Sequence, residues 1–387
     1  MNTAEQEKKH RHLIPIGEYD CPSLPVDEWF KAIATRVRAV FRSDDKAFIA
    51  DDRLKQATLK RLDQAVAPPA CGPVIAELDA SIKEWLDEPA TAERIKAIVL
   101  PPCEDNDVIG AWARDAGHRI VTCNGAGDIP AALAMLDTIE DDPASLLVIP
   151  RLERWYLRRL DGLAGIRTLM AVLAVRKHRT VIGCNAWTWT YLSKAAGIDM
   201  LVGTPLCFAP FDAERLREWF GELARDDITR GVRFRHTDDG SDILTDDVAD
   251  GKSLDFFRTL AGRSRGIPWV AWHMWRRMLR TDEGKGDDDV GGTRRETLWV
   301  TALEELVLPG DRPRDTLLIL HALLLHGEMR AADLRAVLPI VGESVVPAAL
   351  VMSGFVQRDG DRLSIRPEAY PAVRSGLETA GMSMGAL

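Results

Sequence analysis

The stretch 96-KAIVLPPCEDNDVIGAWARDAGHRIVTC-123 decides the fold of the central part of the chain. An apolar run is followed by a turn, a helical pattern and a second apolar run. Three more apolar runs alternate with helical patterns further along: SLLVIP (145–150), TVIGC (180–184) and MLVGTPLCF (200–208). Runs that are apolar throughout are typical of parallel strands buried on both faces. Residues 93–210 are therefore predicted to form an α/β core with a five-stranded parallel sheet.

Helical patterns lie on both sides of this core. Residues 1–92 are predicted to be a polar tail and a helical extension, because DEWFKAIATRVRAVF places Trp29, Ile33, Val37 and Phe41 at spacings of four. Residues 211–311 are predicted to be a helical lid and linker, with Asp212 as an N-cap. Residues 312–387 show three helical patterns and a hairpin around Gly360, the order of a winged helix-turn-helix.

Composition narrows the class of protein. The chain has 387 residues, of which 46% are hydrophobic and 28% charged, so a multidomain globular protein is expected. The net charge of −9 does not favour generic attraction to nucleic acid, and no apolar stretch is long enough for membrane insertion. No secretory signal is visible, and six scattered cysteines without a CxxC pair favour reduced thiols, so a cytoplasmic location is expected.

The order of five parallel strands, a lid and a winged helix resembles the P-loop ATPases of the AAA+ and STAND groups, from about Arg94 to the C-terminus. The resemblance implies a fold that binds ATP between the sheet and the lid and uses it to switch conformation. It also implies a phosphate loop after the first strand and a pair of acids after a later strand.

The phosphate loop is eroded. A working loop needs glycines, a lysine and a hydroxyl residue in the pattern G-x-x-x-x-G-K-[ST]. The corresponding segment, 101-PPCEDNDVIGAW-112, has one glycine, Gly110, and neither lysine nor hydroxyl. Its prolines lack backbone N–H donors, and its acids place negative charge where phosphates would lie. We expect no triphosphate to bind there.

The acid pair is eroded as well. The strand that should end in two acids ends in LLVIP followed by Arg151, Leu152 and Glu153. Without a magnesium ligand and a phosphate lysine, phosphoryl transfer has no electrostatic support. No catalytic residue and no metal site is therefore predicted, and the protein is expected to be a pseudo-ATPase rather than an enzyme. His321 and His326 are five residues apart, which does not suit chelation from one helix face.

Three residues could form a remnant cofactor site for adenine nucleotide. Asn185 ends the fourth strand, where the resemblance implies a polar sensor, although a helix cap is an equal alternative. Gly266 and Pro268 match the short G-x-P signature of the STAND lid, whose proline packs on adenine. Trp187 and Trp189 lie beside Asn185 and either stack on a base or fill the emptied cleft, of which filling is the favoured interpretation.

The winged helix raises the question of DNA. Its candidate recognition segment, ESVVPAALVMSG (343–354), contains no Arg, Lys, Asn or Gln to read bases. The sequence therefore predicts a catalytically inactive regulatory or assembly protein that acts through protein partners or self-association, with no cofactor. Two alternatives stay open: a non-hydrolysing switch that binds ATP or ADP, and a DNA-binding regulator.

Overall fold

The computed structural model describes residues 13–24, 54–56, 72–88, 93–104, 106–142, 145–225, 232–244, 251–282, 297–303, 306–310, 313–341 and 344–387. The chain divides into two compact units. The first unit comprises Met1–Tyr19, Cys71–Ala209 and Val307–Leu387, and the second comprises Asp20–Ala70 and Pro210–Leu306. The predicted core and the predicted winged helix therefore fall into the same unit.

The described part of the chain contains strands and helices in the following order. The strands are β1 (Leu13–Pro15), β2 (Leu54–Gln56), β3 (Ile95–Leu100), β4 (Arg119–Ile120), β5 (Leu146–Ile149), β6 (Arg179–Asn185), β7 (Leu206–Phe208), β8 (Arg233–His236), β9 (Leu279–Asp282), β10 (Thr297–Val300), β11 (Glu328–Arg330), β12 (Val356–Asp359) and β13 (Arg362–Ile365). The α-helices are α1 (Gly72–Asp87), α2 (Val108–Asp115), α3 (Ile129–Thr138), α4 (Ala164–Val175), α5 (Ala186–Ala196), α6 (Ala213–Arg225), α7 (Gly251–Ser264), α8 (Pro268–Met278), α9 (Pro313–His326), α10 (Ala331–Val337), α11 (Val346–Met352) and α12 (Tyr370–Thr379).

The sheet of the first unit has six strands in the order β1-β7-β3-β6-β5-β4. Its last five strands are mutually parallel, as the sequence predicted. The prediction of a purely parallel, five-stranded sheet was wrong, because β1 adds an antiparallel edge strand with Leu13 opposite Phe208. A three-residue strand is too short to show any periodicity in sequence, so only the pairing with β7 reveals it.

The parallel strands are buried because helices cover the sheet. All four residues of β5 are buried, and so are the last six of β6. Each buried Val, Leu or Ile contributes about 1.5–3 kcal/mol, so the apolar runs of the sequence stabilise this sheet. The described cysteines are free thiols, and Cys123, Cys184 and Cys207 are buried, as expected. The carboxyl ends of β3, β5 and β6 meet at one edge of the sheet, where a crevice forms in open α/β sheets.

Residues 313–387 form what we call the C-terminal module. It contains α9, α10, α11 and α12 and a three-stranded antiparallel sheet in the order β11-β13-β12. The predicted hairpin is present, with Asp359 opposite Arg362 and a left-handed Gly360 in the turn. The third strand, β11, was not predicted, because its three residues follow α9 after a single glycine.

The second unit is not purely helical, which corrects the prediction of a helical lid. Helices α6, α7 and α8 accompany a four-stranded sheet in the order β2-β9-β10-β8. Strand β8 alternates arginine with Phe234 and His236, and this short pattern resembles a polar loop in sequence. Asp212 caps α6 as predicted, since the Arg215 N–H donates to its Oδ1 at 2.9 Å.

Other predictions for this unit have mixed outcomes. The tryptophans Trp269, Trp272 and Trp275 of α8 are buried, which fits a core role. The helix predicted around Trp29 lies outside the described residues, as does most of the Gly- and Asp-rich segment 281–295.

Among the described residues every helix is too short or too polar to span a bilayer. The same residues contain no cluster of His, Cys, Asp and Glu that could hold a metal ion.

Candidate functional site

The turn between β3 and α2 carries its own anion. The Glu104 Oε1 atom accepts the first helical N–H of α2, from Val108, at 3.4 Å. Its Oε2 accepts from Arg151 Nη2 at 3.1 Å, and both side chains are well buried. A helix N-terminus with an adjacent guanidinium is a ready site for an anion. In this chain the carboxylate of Glu104 takes that position.

A second carboxylate reinforces the arrangement. Asp107 accepts from Arg151 Nε at 3.3 Å and from Arg114 Nη2 at 3.0 Å. Its backbone is left-handed, with φ 50°, and its side chain folds over the first turn of α2. A Cβ atom on Gly110 would lie 2.2 Å from Asp107 Oδ2, so only glycine leaves room for this carboxylate. Arg151 is therefore neutralised from two directions.

Glu153 and Asn185 form a buried polar pair at the ends of β5 and β6. Each side chain is 7% exposed, and the Asn185 backbone N–H donates to Glu153 Oε2 at 3.3 Å. Burial raises the pKa of Glu153, although the nearby charge of Arg151 opposes that rise. No ion pair joins Glu153 to a cation in the described part of the chain within 4.0 Å.

Asn185 caps the N-terminus of α5, which is one of the two roles predicted for it. Its Oδ1 accepts the Thr188 N–H at 2.8 Å, which starts α5. The same bond fixes the orientation of the amide, because only the oxygen can accept. The Nδ2 atom is buried and has no hydrogen-bond partner among the described residues.

The C-terminal module packs directly on this edge of the sheet. The carbonyl oxygen of Leu325, near the end of α9, accepts from Tyr156 Oη at 3.0 Å and also from the hydroxyl of Thr188. The next residue, His326, accepts the Arg158 N–H at Nε2, at 3.3 Å. These contacts join residues more than a hundred positions apart in sequence.

Trp187 takes part in the same packing. It is 1% exposed, and its Nε1 donates to Tyr370 Oη at 3.4 Å. Its ring lies against Gly385, where a Cβ would be 2.8 Å away. This supports the predicted filling role of Trp187, since its ring packs on the C-terminal module.

A group of ion pairs crosses the crevice at the carboxyl ends of β3, β5 and β6, which we call the cleft. Glu328 of β11 pairs with Arg154, which follows β5, and with Arg362 of β13 at 3.1 Å. Arg362 also donates to the carbonyl oxygen of Asn124 at 3.4 Å. Both arginines therefore have partners within this chain, and neither is left to bind a phosphate.

A cavity of about 180 Å³ remains between these elements. Its walls come from the β3 turn, the residues after β5, the end of β6 and the C-terminal module. The lining includes Pro101, Pro102, Cys103, Glu104, Arg151, Glu153, Arg154, Asn185, Gly327, Glu328 and Ile365. The cavity thus lies at the sheet edge where the resemblance implies nucleotide, but carboxylates and prolines surround it.

The residues predicted to hold adenine belong to two different units of the chain. Asn185 belongs to the first unit, whereas Gly266 and Pro268 belong to the second. Gly266 has a φ of 72°, and its carbonyl oxygen accepts the Phe211 N–H at 2.8 Å. Pro268 is buried at the start of α8. These features give both residues a local structural role, and their part in nucleotide binding stays a prediction.

Sequence reasoning found the acids of the β3 turn but missed the residues that close the cleft. Leu325, His326, Gly327 and Glu328 carried no local signal for a site. His326 was predicted not to chelate a metal, and its Nε2 accepts the backbone N–H of Arg158.

The chain has low similarity to several solved structures. No protein-family model and no curated protein sequence matches this chain. Among solved structures, the RuvB Holliday junction branch migration motor of Thermotoga maritima is 14% identical, over 82% of this chain and 96% of its own, with a TM-score of 0.32. The Cdc6p structure from Pyrobaculum aerophilum is 12% identical, over 88% and 99%, with a TM-score of 0.34. The ORC2 protein of Aeropyrum pernix, solved with ADPNP and ADP, is 12% identical, over 87% and 98%, with a TM-score of 0.32. Values this low do not transfer a function to this chain.

Proposed function

We propose that this chain is a catalytically inactive, AAA+/STAND-like regulatory or assembly protein that acts through protein contacts. One observation carries the proposal: the carboxylate of Glu104 lies at the N-terminus of α2 and pairs with Arg151. The resemblance implies phosphates at this helix end. An internal carboxylate satisfies both the helix N-terminus and the guanidinium of Arg151.

Burial makes the displacement of Glu104 costly. A triphosphate at this turn would have to displace Glu104 from Arg151. The side chain of Glu104 is only 7% exposed, and that of Arg151 is 19% exposed. Breaking a buried ion pair on one side costs about 3–5 kcal/mol. The arriving phosphates would also meet the carboxylate of Asp107. Neither a lysine nor a hydroxyl residue of the turn compensates for these costs.

The region after β5 supports the same proposal. Hydrolysis needs acids that hold magnesium and polarise water. Arg151 follows β5 directly after Pro150, and the next acid, Glu153, faces the backbone of Asn185. Residues 150–154 therefore supply a single acid rather than the pair that metal-assisted phosphoryl transfer requires.

The choice of protein rather than DNA as partner rests on α11. Around this helix Val345, Ala348, Ala349 and Met352 are exposed, at spacings that place them on one face. Val345 and Met352 are 73% and 89% exposed. The face offers no group that reads a base edge, but an apolar face suits contact with another protein. On the hairpin, Arg362 and Arg366 pair with Glu328 and Glu368.

Calorimetric titration with ATP and ADP, with and without magnesium, tests the loss of the nucleotide site. We expect no saturable binding by the full chain at millimolar nucleotide. Replacement Glu104→Ala removes one of the two carboxylates from Arg151 and uncovers the N-terminus of α2, and we expect this variant to gain weak binding of inorganic phosphate. Saturable micromolar binding by the unaltered chain that is lost in Pro268→Ala would instead favour the nucleotide switch.

Cross-linking and size-exclusion chromatography of the full chain, followed by affinity capture, test the protein contact. We expect Met352→Glu to abolish the self-association or the captured partner. The matched control is Met200→Glu, since Met200 is 87% exposed but lies outside the α11 face. Equal loss in both variants, or tight binding of duplex DNA that Met352→Glu abolishes, would contradict the proposed protein contact.

A further inference from the structure

Helices α3 and α4 are apolar even on their exposed sides. The exposed positions recur at spacings of three and four residues, which places them on one face of each helix. Those of α3 are Pro130, Ala131, Ala134, Met135, Asp137 and Thr138, and those of α4 are Ala164, Arg167, Thr168, Ala171, Ala174 and Val175. Only Asp137 and Arg167 are charged in these two sets. A helix that is apolar all round is normally buried on every side.

The two helices lie side by side with their ends at matching heights. Each leads from the carboxyl end of one parallel strand to the amino end of the next, so they run in the same direction. Near their N-termini, a Cβ added to Gly165 would lie 2.7 Å from Ile129 Cγ2. Near their C-termini, Arg176 Nη1 donates to the carbonyl oxygen of Ile139 at 2.9 Å, and its Nη2 lies 3.9 Å from Asp137 Oδ1. Their exposed sides together form what we call the α3–α4 face.

Bulky apolar side chains of the α3–α4 face are open to solvent. Val175 is 79% exposed, and Met135 is 50% exposed. Leu160, in the loop that leads into α4, is 91% exposed. Apolar side chains collected on one surface in this way mark a site of contact with another macromolecule.

The charges along the two helices are sorted by sign. Segment 128–142, which contains α3, has five acids and no base. Segment 158–177, which contains α4, has five bases and one acid. A partner for this face therefore has to present a basic column to α3 and an acidic column to α4. A second copy of the chain presents both, because its own α4 is flanked by bases and its own α3 by acids.

We propose that this chain forms a homodimer through the α3–α4 face. A two-fold axis parallel to the helices sets α3 of each copy on α4 of the other. Asp128, at the N-terminus of α3 in one copy, then faces Arg167 in the first turn of α4 in the other. Glu140 and Lys177 face each other in the same way beyond the opposite ends of the helices. Each pair occurs twice, as a two-fold interface requires.

The size of the face predicts a weak dimer. Two adjacent helices of this length have an outline of roughly 360 Å², which is below the ~800 Å² that each partner buries in an interface of standard size. We therefore expect a dissociation constant in the micromolar range. The α11 face of the proposed function consists of other residues, so this inference does not rest on it and leaves that face free for a different protein.

Sedimentation velocity of the full chain, from low to several hundred micromolar, tests the dimer. We expect Val175→Glu to raise the dissociation constant at least tenfold, because the interface would bury an unpaired charge. Val307→Glu is the matched control, since Val307 is 83% exposed but lies outside the α3–α4 face. A monomer at every concentration, a species larger than a dimer, or an equal effect of both variants would overturn the proposal. A dimer that is lost in Met352→Glu but kept in Val175→Glu would also overturn it, and would assign self-association to the α11 face instead.

A pair of charge reversals tests whether the partner is a second copy. Arg167→Glu leaves acids on both helices, and Asp128→Arg places bases at the N-termini of both. We expect each variant alone to associate at least tenfold more weakly than the unaltered chain. An equimolar mixture should dimerise again, because each variant then meets the opposite charge at both of its altered contacts. A mixture that sediments like the separate variants would refute the two-fold pairing of α3 with α4.

Discussion

His326 makes the packing of the C-terminal module sensitive to pH. The ring is 3% exposed, and its Nε2 accepts the Arg158 N–H at 3.3 Å. Burial lowers its pKa to about 4, and the charge of Arg158 acts in the same direction, whereas Asp333 and the backbone of Glu153 act against it. The folded protein therefore holds this histidine neutral, while the unfolded chain lets it titrate at about 6.5.

The sign and size of the effect follow from these two values. As the pH falls below about 6.5, the unfolded state takes up a proton that the folded state refuses, so stability is lost. One pKa unit corresponds to about 1.4 kcal/mol. Between pH 8 and pH 5 the expected loss from His326 is about 2 kcal/mol, and it reaches about 3 kcal/mol once the pH is below about 4.

The assay compares urea denaturation of the unaltered protein with that of His326→Gln at pH 8 and pH 5. Glutamine can replace both hydrogen-bonding roles of the ring but does not titrate. Glu153, whose raised pKa has the opposite effect on stability at low pH, is present in both proteins and cancels in the comparison. The unaltered protein should lose about 2 kcal/mol more than the variant over this interval. A difference below about 0.5 kcal/mol would refute a buried, neutral His326.

Three further changes test other contacts. Leu387 is 2% exposed and packs in the core cluster of the first unit. In urea denaturation Leu387→Ala should therefore lower the free energy of unfolding by about 2–5 kcal/mol, and a loss below about 1 kcal/mol would mean that Leu387 does not pack there. Gly110→Ala should destabilise by about 1–3 kcal/mol through its clash with the Asp107 carboxylate, and Asp107→Ala should relieve most of that cost in a double-mutant cycle; additive losses would contradict the clash. Glu328→Gln leaves the two arginines that it bridges facing each other, so we expect a loss of about 1 kcal/mol at low salt that shrinks in 1 M salt; a loss independent of salt would argue against an electrostatic role.

Much of the site was predictable because the residues that form it lie close together in the sequence. The prolines and acids of residues 101–107 adjoin the first apolar run, so the sequence alone predicted a turn unsuited to phosphate. Asn185 was predicted both as a sensor and as a cap, and the hydrogen bond to Thr188 establishes the cap. Its placement opposite Glu153 was not predictable, since β5 and β6 meet only through sheet pairing.

The closing contacts were beyond sequence reasoning. Leu325 and His326 contribute through a backbone carbonyl and a ring nitrogen, and neither group shows in a pattern of apolar and polar residues. Strands β8 and β10 were missed for a related reason: four-residue segments acquire strand character from their neighbours rather than from their own composition.

The sequence by itself determined the parallel α/β core, because long apolar runs have to be buried and their alternation with helices leaves few arrangements. It also determined that residues 101–112 begin with two prolines and contain no lysine, serine or threonine, since residue types at adjacent positions decide whether backbone N–H groups and a lysine are available to a phosphate. Only the tertiary structure decided that Glu104 would bond to the N-terminus of α2 and to Arg151, and that the C-terminal module would close the cleft. Those contacts depend on distances between residues far apart in the chain, and packing of the whole first unit sets these distances.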